Sequence, residues 1–204
     1  MLRFKQHLAE RSQDIRNSDI VNAKTYDEAL EKIKNISGSR KLGDGMYAIV
    51  FGGNGNLVIK LSGDIDGTYY YLKEIYEKKL WLSNPHFPRI GFLKLFNKHH
   101  RDISQQYMVI MEHLDFDSHW IKKLCDGNIY LIGKAYDGFL TEKNYSMGES
   151  YVEAWHKLKE IMPKMAEVFE LIFSIFKNNS NDIGVSNIGY RYSNKKLVIV
   201  DPLT

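Results

Sequence analysis

The sequence predicts an α+β fold in which a mainly antiparallel sheet carries one inserted helix. At Lys41 the spacing of apolar residues changes from helical to strand-like. Two runs rich in β-branched and aromatic residues, Met46–Phe51 and Leu57–Leu61, flank the turn-forming "GGNGN", which predicts a hairpin. Helical spacing returns in "DGTYYYLKEIYEKKLWLS" before two further apolar runs, which places one helix within the sheet region.

The segment before the sheet, residues 1–37, is predicted to be helical. "TYDEALEKIKNI" begins with Thr25 and carries Glu28 three positions later, which is the pattern of a capping box. Its apolar residues recur at helical spacing, and "SGS" ends the helix.

After the inserted helix, the sequence predicts two strands, a helical part and a short terminal β segment. "NPHFPRIGFLKLF" is a Pro-containing connection that leads into a strand, and the nearly continuous apolar run of "QQYMVIMEHL" predicts a buried strand. "DGNIYLIG" is either a short hairpin or the end of a helix, and "TEKNYSMGES" is a loop. "YVEAWHKLKEI" and "MAEVFELIFSIF" are helical, and Pro163 either starts the second helix or kinks a continuous one.

Composition limits the class of protein. The chain has 204 residues, 44% of them hydrophobic, and a net charge of +3, which is typical of one globular domain or of one domain split into two lobes. Its single cysteine, Cys125, excludes an internal disulfide and a cysteine-rich zinc site and favours a cytoplasmic location. "MLRFKQHLAERSQ" is not a signal peptide, and no apolar run approaches the roughly 20 residues that cross a bilayer. No basic stripe follows a nucleic-acid backbone, so we expect neither a membrane nor a nucleic-acid partner.

Glycines and a lysine in the first hairpin form one candidate site. Gly43 and Gly45 precede a strand pair that ends in "VIK" with Lys60. Glycine lets the backbone approach a ligand where a Cβ would clash, and a lysine on the next strand can reach phosphate groups. The alternative is an ordinary hairpin with a surface lysine.

Two carboxylates and an amide near the end of the sequence form the second candidate site. Asp182 and Asn187 form an Asp-x-x-x-x-Asn pattern, and Asp201 follows the apolar run "LVIV". An aspartate can deprotonate a hydroxyl, and amide and carboxylate oxygens are ligands for Mg²⁺. The alternative is that these residues only form turns.

Taken in order, these features resemble the protein-kinase fold from Lys41 onward. The resemblance implies a two-lobed fold, with an antiparallel N-lobe sheet, a reduced helical C-lobe and N-terminal helices before them. It implies that Gly43, Gly45 and Val50 cover the phosphates and that Lys60 holds them. Within "YMVIMEHL" it implies a gatekeeper at Met111 and adenine contacts by backbone groups of Glu112 and Leu114.

In the second half of the chain, the resemblance implies that Asp182 is the catalytic aspartate and that Asn187 and Asp201 bind Mg²⁺. "SND" stands where a His-Arg-Asp triplet is usual, and "DPLT" replaces Asp-Phe-Gly. Both features are similar to the short early serine/threonine kinases of podovirus-type bacteriophages. Because no arginine precedes Asp182, we expect no control by a phosphorylated activation loop. The sequence shows no activation segment after Asp201, so we expect the N-terminal helices or a dimer partner to cover the corresponding surfaces.

The acidic partner of Lys60 is left open by the sequence. Kinases usually provide a glutamate from the next helix, and the candidates are Glu74 and Glu77. The inward stripe of this helix is predicted to be marked by Leu72, Ile75 and Lys79. At 100° per residue both glutamates point away from it, so we expect solvent-exposed pairs with Lys78 or Lys73. Asp64 and Asp66 are alternatives at the helix start.

The predicted domains are an N-terminal helical segment at 1–38, a kinase-like N-lobe at 39–114 and a reduced C-lobe at 115–204. The predicted function is ATP- and Mg²⁺-dependent phosphorylation of Ser/Thr in proteins, with host proteins in the host cytoplasm as substrates if the source is viral. A small-molecule kinase of the aminoglycoside or choline type is one alternative, although such enzymes usually carry a larger helical lobe. A catalytically inactive kinase-like protein that inhibits a host partner is another, although a pure binder has no need for Lys60, Asp182, Asn187 and Asp201 together.

Overall fold

The structure is a computed structural model of the chain. It describes residues 19–36, 39–44, 48–52, 57–96, 105–116, 128–143, 149–176, 183 and 185–202. The chain divides into two compact units, the first comprising Met1–Ile65 with Arg89–His113 and the second comprising Asp66–Pro88 with Leu114–Thr204. None of the helices in the described ranges is long and apolar enough to cross a membrane.

The first unit contains a five-stranded sheet in which every pair of neighbouring strands is antiparallel. Its spatial order is β1-β2-β3-β5-β4. The strands are β1 (Arg40–Asp44), β2 (Ala48–Gly52), β3 (Leu57–Ser62), β4 (Ile90–Leu95) and β5 (Tyr107–Glu112). The α+β class, the antiparallel sheet and the helix between its third and fourth strands confirm the predicted fold class. β5 is buried along its whole length, as its apolar run predicted.

The two faces of this sheet differ in what they carry. Residues paired directly across antiparallel strands point to the same face, and the face alternates along each strand. Val50, Lys60 and Val109 are paired across β2, β3 and β5, and Val58 pairs with Met111 two positions away, so all five share one face. The other face carries Phe51, Leu57, Ile59, Leu61, Met108 and Ile110, which form the core of the first unit.

Helix α1 (Tyr26–Lys34) covers that core face. Its N-cap is Thr25, whose side chain accepts a hydrogen bond from the Glu28 N–H at 3.2 Å. The Glu28 side chain accepts from the Lys24 N–H at 2.7 Å rather than from that of Thr25, so the capping box is shifted by one residue. Ala29 and Ile33 are fully buried and pack into the cluster formed by the sheet.

The second unit is mainly helical and ends in a β-hairpin. Its elements are α2 (Gly67–Lys78), a 3₁₀ turn (Leu80–Leu82), α3 (Asn128–Glu142), α4 (Glu149–Ile161), α5 (Pro163–Phe176), a second 3₁₀ turn (Val185–Asn187), β6 (Ile188–Arg191) and β7 (Lys196–Ile199). Pro163 is the first residue of α5, where its missing N–H has no helical acceptor. Of the two predicted roles for Pro163, the structure confirms the helix start.

Helix α3 settles the segment that the sequence left open. "NIYLIG" lies within this 15-residue helix and not in a hairpin. Gly138, which resembles a helix breaker, is needed for packing: a Cβ there would lie 1.9 Å from the carbonyl oxygen of Tyr151 in α4. Tyr136, Phe139 and Trp155 are buried between these helices and α5.

Candidate functional site

The β6–β7 hairpin brings Asn187 and Asp201 to one end of the second unit. Ile188 pairs with Ile199, and the next step of the ladder is a hydrogen bond of 3.0 Å from the Val200 N–H to the Asn187 carbonyl oxygen. Asp201 follows Val200 directly, so the backbones of Asn187 and Asp201 lie close together at this end of the hairpin. Asn187 is buried, with 6% of its surface exposed, and Asp201 is half-buried.

Helix α2 contacts the Asp201 end of the hairpin through two hydroxyl groups. The hydroxyl of Thr68 donates to Oδ1 of Asp201. The Oη of Tyr71 donates to the Ile199 carbonyl oxygen at 2.9 Å. Burial, and secondarily the negative charge of Asp201, raises the pKa of Tyr71, so its hydroxyl stays protonated and remains a donor.

The loop between α2 and β4 holds the hairpin from another side. Arg191 of β6 is buried and donates from Nη1 to the Pro85 carbonyl oxygen at 2.5 Å and from Nη2 to that of Phe87 at 2.9 Å. The Ile199 N–H donates to the His86 carbonyl oxygen at 3.3 Å. These bonds fix the hairpin that carries Asn187 and Asp201.

His86 is itself part of this attachment. Its Nδ1 lies 2.7 Å from the Leu197 carbonyl oxygen, and because a carbonyl only accepts, Nδ1 carries the proton. Burial lowers the pKa of His86, and the positive charges of Lys196 and Arg191 lower it further, although the bond to Leu197 opposes the shift. The imidazole is therefore a neutral structural group at neutral pH.

In the first unit, predicted nucleotide-contacting residues lie on the sheet face opposite the core. Val50, Lys60 and Met111 all lie on this face, and Lys60 is 8% exposed. Gly43 pairs with Val50 after an irregularity in β1. A Cβ at Gly43 would meet no atom within 4 Å, so packing within the protein does not require a glycine there.

The predicted adenine-contacting residues lie at the end of β5 and just beyond it. The Glu112 N–H donates to the Arg89 carbonyl oxygen at 3.0 Å, and the Glu112 side chain accepts from the Arg89 N–H at 2.9 Å. Leu114 belongs to the second unit, where it is buried against Gly189 of β6.

The two glutamates of α2 lie away from its buried side, as the helical spacing predicted. Glu74 forms an ion pair with Lys78, and Glu77 lies 3.9 Å from Lys73, all with partly or largely exposed side chains. The predicted solvent-exposed pairs are confirmed. The placement of Lys79 on the inward stripe is wrong, because the helix ends at Lys78 and Lys79 is exposed in a left-handed conformation. Asp66, one of the alternative partners for Lys60, caps α2 by accepting from the Tyr69 N–H at 3.1 Å.

Two predicted site residues, Gly45 and Asp182, lie outside the described residues, so their roles stay predictions. Sequence reasoning missed Thr68, Tyr71 and Arg191 as contacts of the candidate site. The partner of Thr68 is 133 residues away along the chain. No local pattern in "DGTYYYL" indicates it.

The oxygen donors at the hairpin end are of a type that binds Mg²⁺. Within the described ranges, no group of three or more His, Cys, Asp and Glu side chains could hold a metal ion. Mg²⁺ does not need such a cluster, because it keeps several waters and takes one or two protein oxygens together with substrate phosphates. The amide of Asn187 and the carboxylate of Asp201 are of the required type.

The chain was compared with protein families, curated proteins and solved structures. No protein-family model matches the sequence, and no curated protein matches it. Among solved structures, the streptomycin–ATP–APH(2″)-IIa ternary complex aligns with 86% of this chain and 68% of its own, at 19% identity and a TM-score of 0.34. An alignment at that identity and TM-score supports no inference about fold or activity.

Proposed function

We propose that the protein is an ATP- and Mg²⁺-dependent phosphotransferase of the protein-kinase type that phosphorylates Ser/Thr hydroxyls of proteins. One observation carries the proposal. The β6–β7 ladder places Asn187 beside the residue that precedes Asp201, through the 3.0 Å bond from the Val200 N–H to the Asn187 carbonyl oxygen. The backbones of the two residues that the kinase resemblance assigns to Mg²⁺ therefore lie close together at one end of the hairpin, which supports the proposal.

The protein supplies position and charge for the reaction. Mg²⁺, when bound, neutralises the negative charge that develops on the phosphate oxygens, and Asn187 and Asp201 are the residues that would hold it. Lys60 contacts phosphate oxygens as a point charge, and Asp182 orients the acceptor hydroxyl and accepts its proton. Phosphoryl transfer asks little more of a protein than this positioning and charge stabilisation.

The sheet face in the first unit supports the nucleotide part of the proposal. Val50 and Met111 are apolar residues on the same sheet face as Lys60, which suits contacts to an adenine ring. The open position at Gly43 leaves room for phosphate groups close to the backbone. We propose Met111 as the gatekeeper and the backbone of Glu112 and Leu114 as adenine contacts. Host proteins in the host cytoplasm are the proposed substrates, in line with the resemblance to bacteriophage kinases.

The test is an incubation of the purified protein with γ-labelled ATP, Mg²⁺ and a bacterial lysate, followed by separation of proteins from small molecules. Label on Ser/Thr of proteins supports the proposal. Label on a small molecule supports the aminoglycoside- or choline-kinase alternative. No label, together with stable binding of a lysate protein, supports the inactive binding protein.

Matched lysine variants make this test specific. Lys60→Met should abolish the label, because it removes the proposed phosphate contact while keeping a buried side chain of similar length. Lys73→Met should leave the label unchanged, because Lys73 is an exposed partner of Glu77. Equal label from both variants contradicts the role of Lys60.

A further inference from the structure

Thr68 is a buried polar residue in the first turn of α2. It is fully buried, and its hydroxyl donates to Oδ1 of Asp201. Thr68 is the second residue of the helix, so the carbonyl four residues earlier lies outside the helix. The Thr68 hydroxyl instead bonds the carboxylate of Asp201, which is 133 residues away along the chain and belongs to the candidate metal site.

The position of α2 against the end of β7 is fixed by two contacts one turn apart. Thr68 bonds the Asp201 side chain, and Tyr71 bonds the Ile199 carbonyl oxygen at 2.9 Å. The N–H of Val200, which lies between Ile199 and Asp201, donates to the Asn187 carbonyl oxygen. The segment from Ile199 to Asp201 is thus held by α2 through side-chain hydroxyls and by the 3₁₀ turn that precedes β6 through the backbone.

We propose that Thr68 is a positioning residue that orients the Asp201 carboxylate for Mg²⁺. This inference rests on the proposed function, in which Asp201 is a metal ligand. A hydroxyl bonded to Oδ1 restricts rotation of the carboxylate and so helps to set the direction of Oδ2. Hydrogen bonds to ligating carboxylates of this kind commonly change metal affinity by about 10- to 100-fold when removed. Helix α2 thereby acts on the site through Thr68, while its glutamates Glu74 and Glu77 pair with lysines on its own surface.

The experiment measures Mn²⁺ binding, as a probe for Mg²⁺, by electron paramagnetic resonance in the presence of a non-hydrolysable ATP analogue. Thr68→Val removes the hydroxyl at nearly constant shape and should weaken Mn²⁺ binding by about tenfold or more. Thr68→Ser keeps the hydroxyl and should bind within about twofold of the wild type, because the donor is retained. Thr68→Ala tests the same point if the valine variant does not fold.

Tyr71→Phe is the matched control. It removes a buried hydroxyl from the same helix, but one that bonds a backbone carbonyl and not the Asp201 side chain. It should lower the melting temperature without a comparable loss of Mn²⁺ affinity. If Thr68→Val and Tyr71→Phe both lose stability and both keep wild-type Mn²⁺ affinity, Thr68 is only structural and the inference is overturned.

The failure of the inference and the failure of the proposed function are distinguishable. A wild-type protein that binds no Mn²⁺ with the nucleotide analogue overturns both. A wild-type protein that binds Mn²⁺ with the same affinity as Thr68→Val overturns the role of Thr68 and leaves the proposed function standing. In transfer assays, the Thr68→Val variant should need about tenfold more Mg²⁺ for half-maximal rate, and Thr68→Ser should restore the wild-type requirement.

Discussion

Arg191 offers a quantitative test of how the β6–β7 hairpin is held. Its guanidinium is 4% exposed and donates to two carbonyl oxygens, those of Pro85 at 2.5 Å and Phe87 at 2.9 Å. Arg191→Met keeps the apolar stem and removes both bonds. A hydrogen bond from a charged donor contributes about 1.5 kcal/mol at the lower end of its range, so the two together contribute about 3 kcal/mol.

The assay is thermal unfolding followed by tryptophan fluorescence. In a protein of this length, 1 kcal/mol corresponds to about 2–4 °C in melting temperature, so Arg191→Met should melt about 6–12 °C below the wild type. Arg191→Lys keeps the charge but has no second fixed donor, so about half of that loss is expected. If Arg191→Met melts within about 2 °C of the wild type, the two bonds do not hold the hairpin and the reasoning is refuted.

Three further predictions concern two glycines and a histidine. Gly189→Ala should lower the free energy of unfolding by about 1–3 kcal/mol in urea titrations, because its Cβ would lie 2.7 Å from that of Leu114. Gly43→Ala should leave the free energy of unfolding within about 1 kcal/mol of the wild type, since the added Cβ meets no atom within 4 Å. It should raise the KM for ATP about tenfold, because the Cβ would occupy the space proposed for the phosphate groups. The free energy of unfolding should fall as pH decreases below 6.5, because burial lowers the pKa of His86 and the unfolded chain then binds more protons than the folded one. In His86→Gln, that dependence on pH should be weaker.

One outcome would contradict each of these three predictions. A Gly189→Ala variant as stable as the wild type would show that Leu114 moves aside without cost. An unchanged KM for ATP in Gly43→Ala, measured with a correctly folded variant, would remove β1 from the nucleotide contacts. An equal pH dependence in the wild type and His86→Gln would show that other groups cause it.

Local patterns were sufficient for β2 to β7 and for most of the helices. β1 (Arg40–Asp44) was not predicted, because "RKLGD" contains one apolar residue and a glycine. Residues 19–25 were predicted to be helical but lie in turns and bends, so only the part from Tyr26 confirms that prediction. β5 was predictable because six consecutive buried residues leave a continuous apolar run, and the glutamates of α2 were predictable because helical spacing fixes their face. The proximity of the Asn187 and Asp201 backbones was expected because the sequence predicts a short terminal β segment between them.

Contacts between distant segments were not predictable. From the sequence alone, Gly138 is typical of a helix breaker, so α3 could not be assigned. The structure gives the reason for this glycine, which is the close approach of the Tyr151 carbonyl oxygen in α4. From the sequence, Thr68 is an ordinary residue at a helix start, and only the structure shows that its hydroxyl donates a hydrogen bond to Asp201. In both cases the partner that explains the residue is set by tertiary packing.

Phosphate transfer by the wild type and by Asp182→Ala, measured side by side with γ-labelled ATP and protein substrate, tests the central claim most directly. We expect transfer to Ser/Thr by the wild type and a loss of at least about 100-fold in Asp182→Ala, because the variant lacks the carboxylate that is proposed to accept the hydroxyl proton. Nucleotide affinity should stay within about threefold, since Asp182 is not assigned to nucleotide binding. Transfer at the wild-type rate by Asp182→Ala, or no transfer by the wild type, would contradict the account.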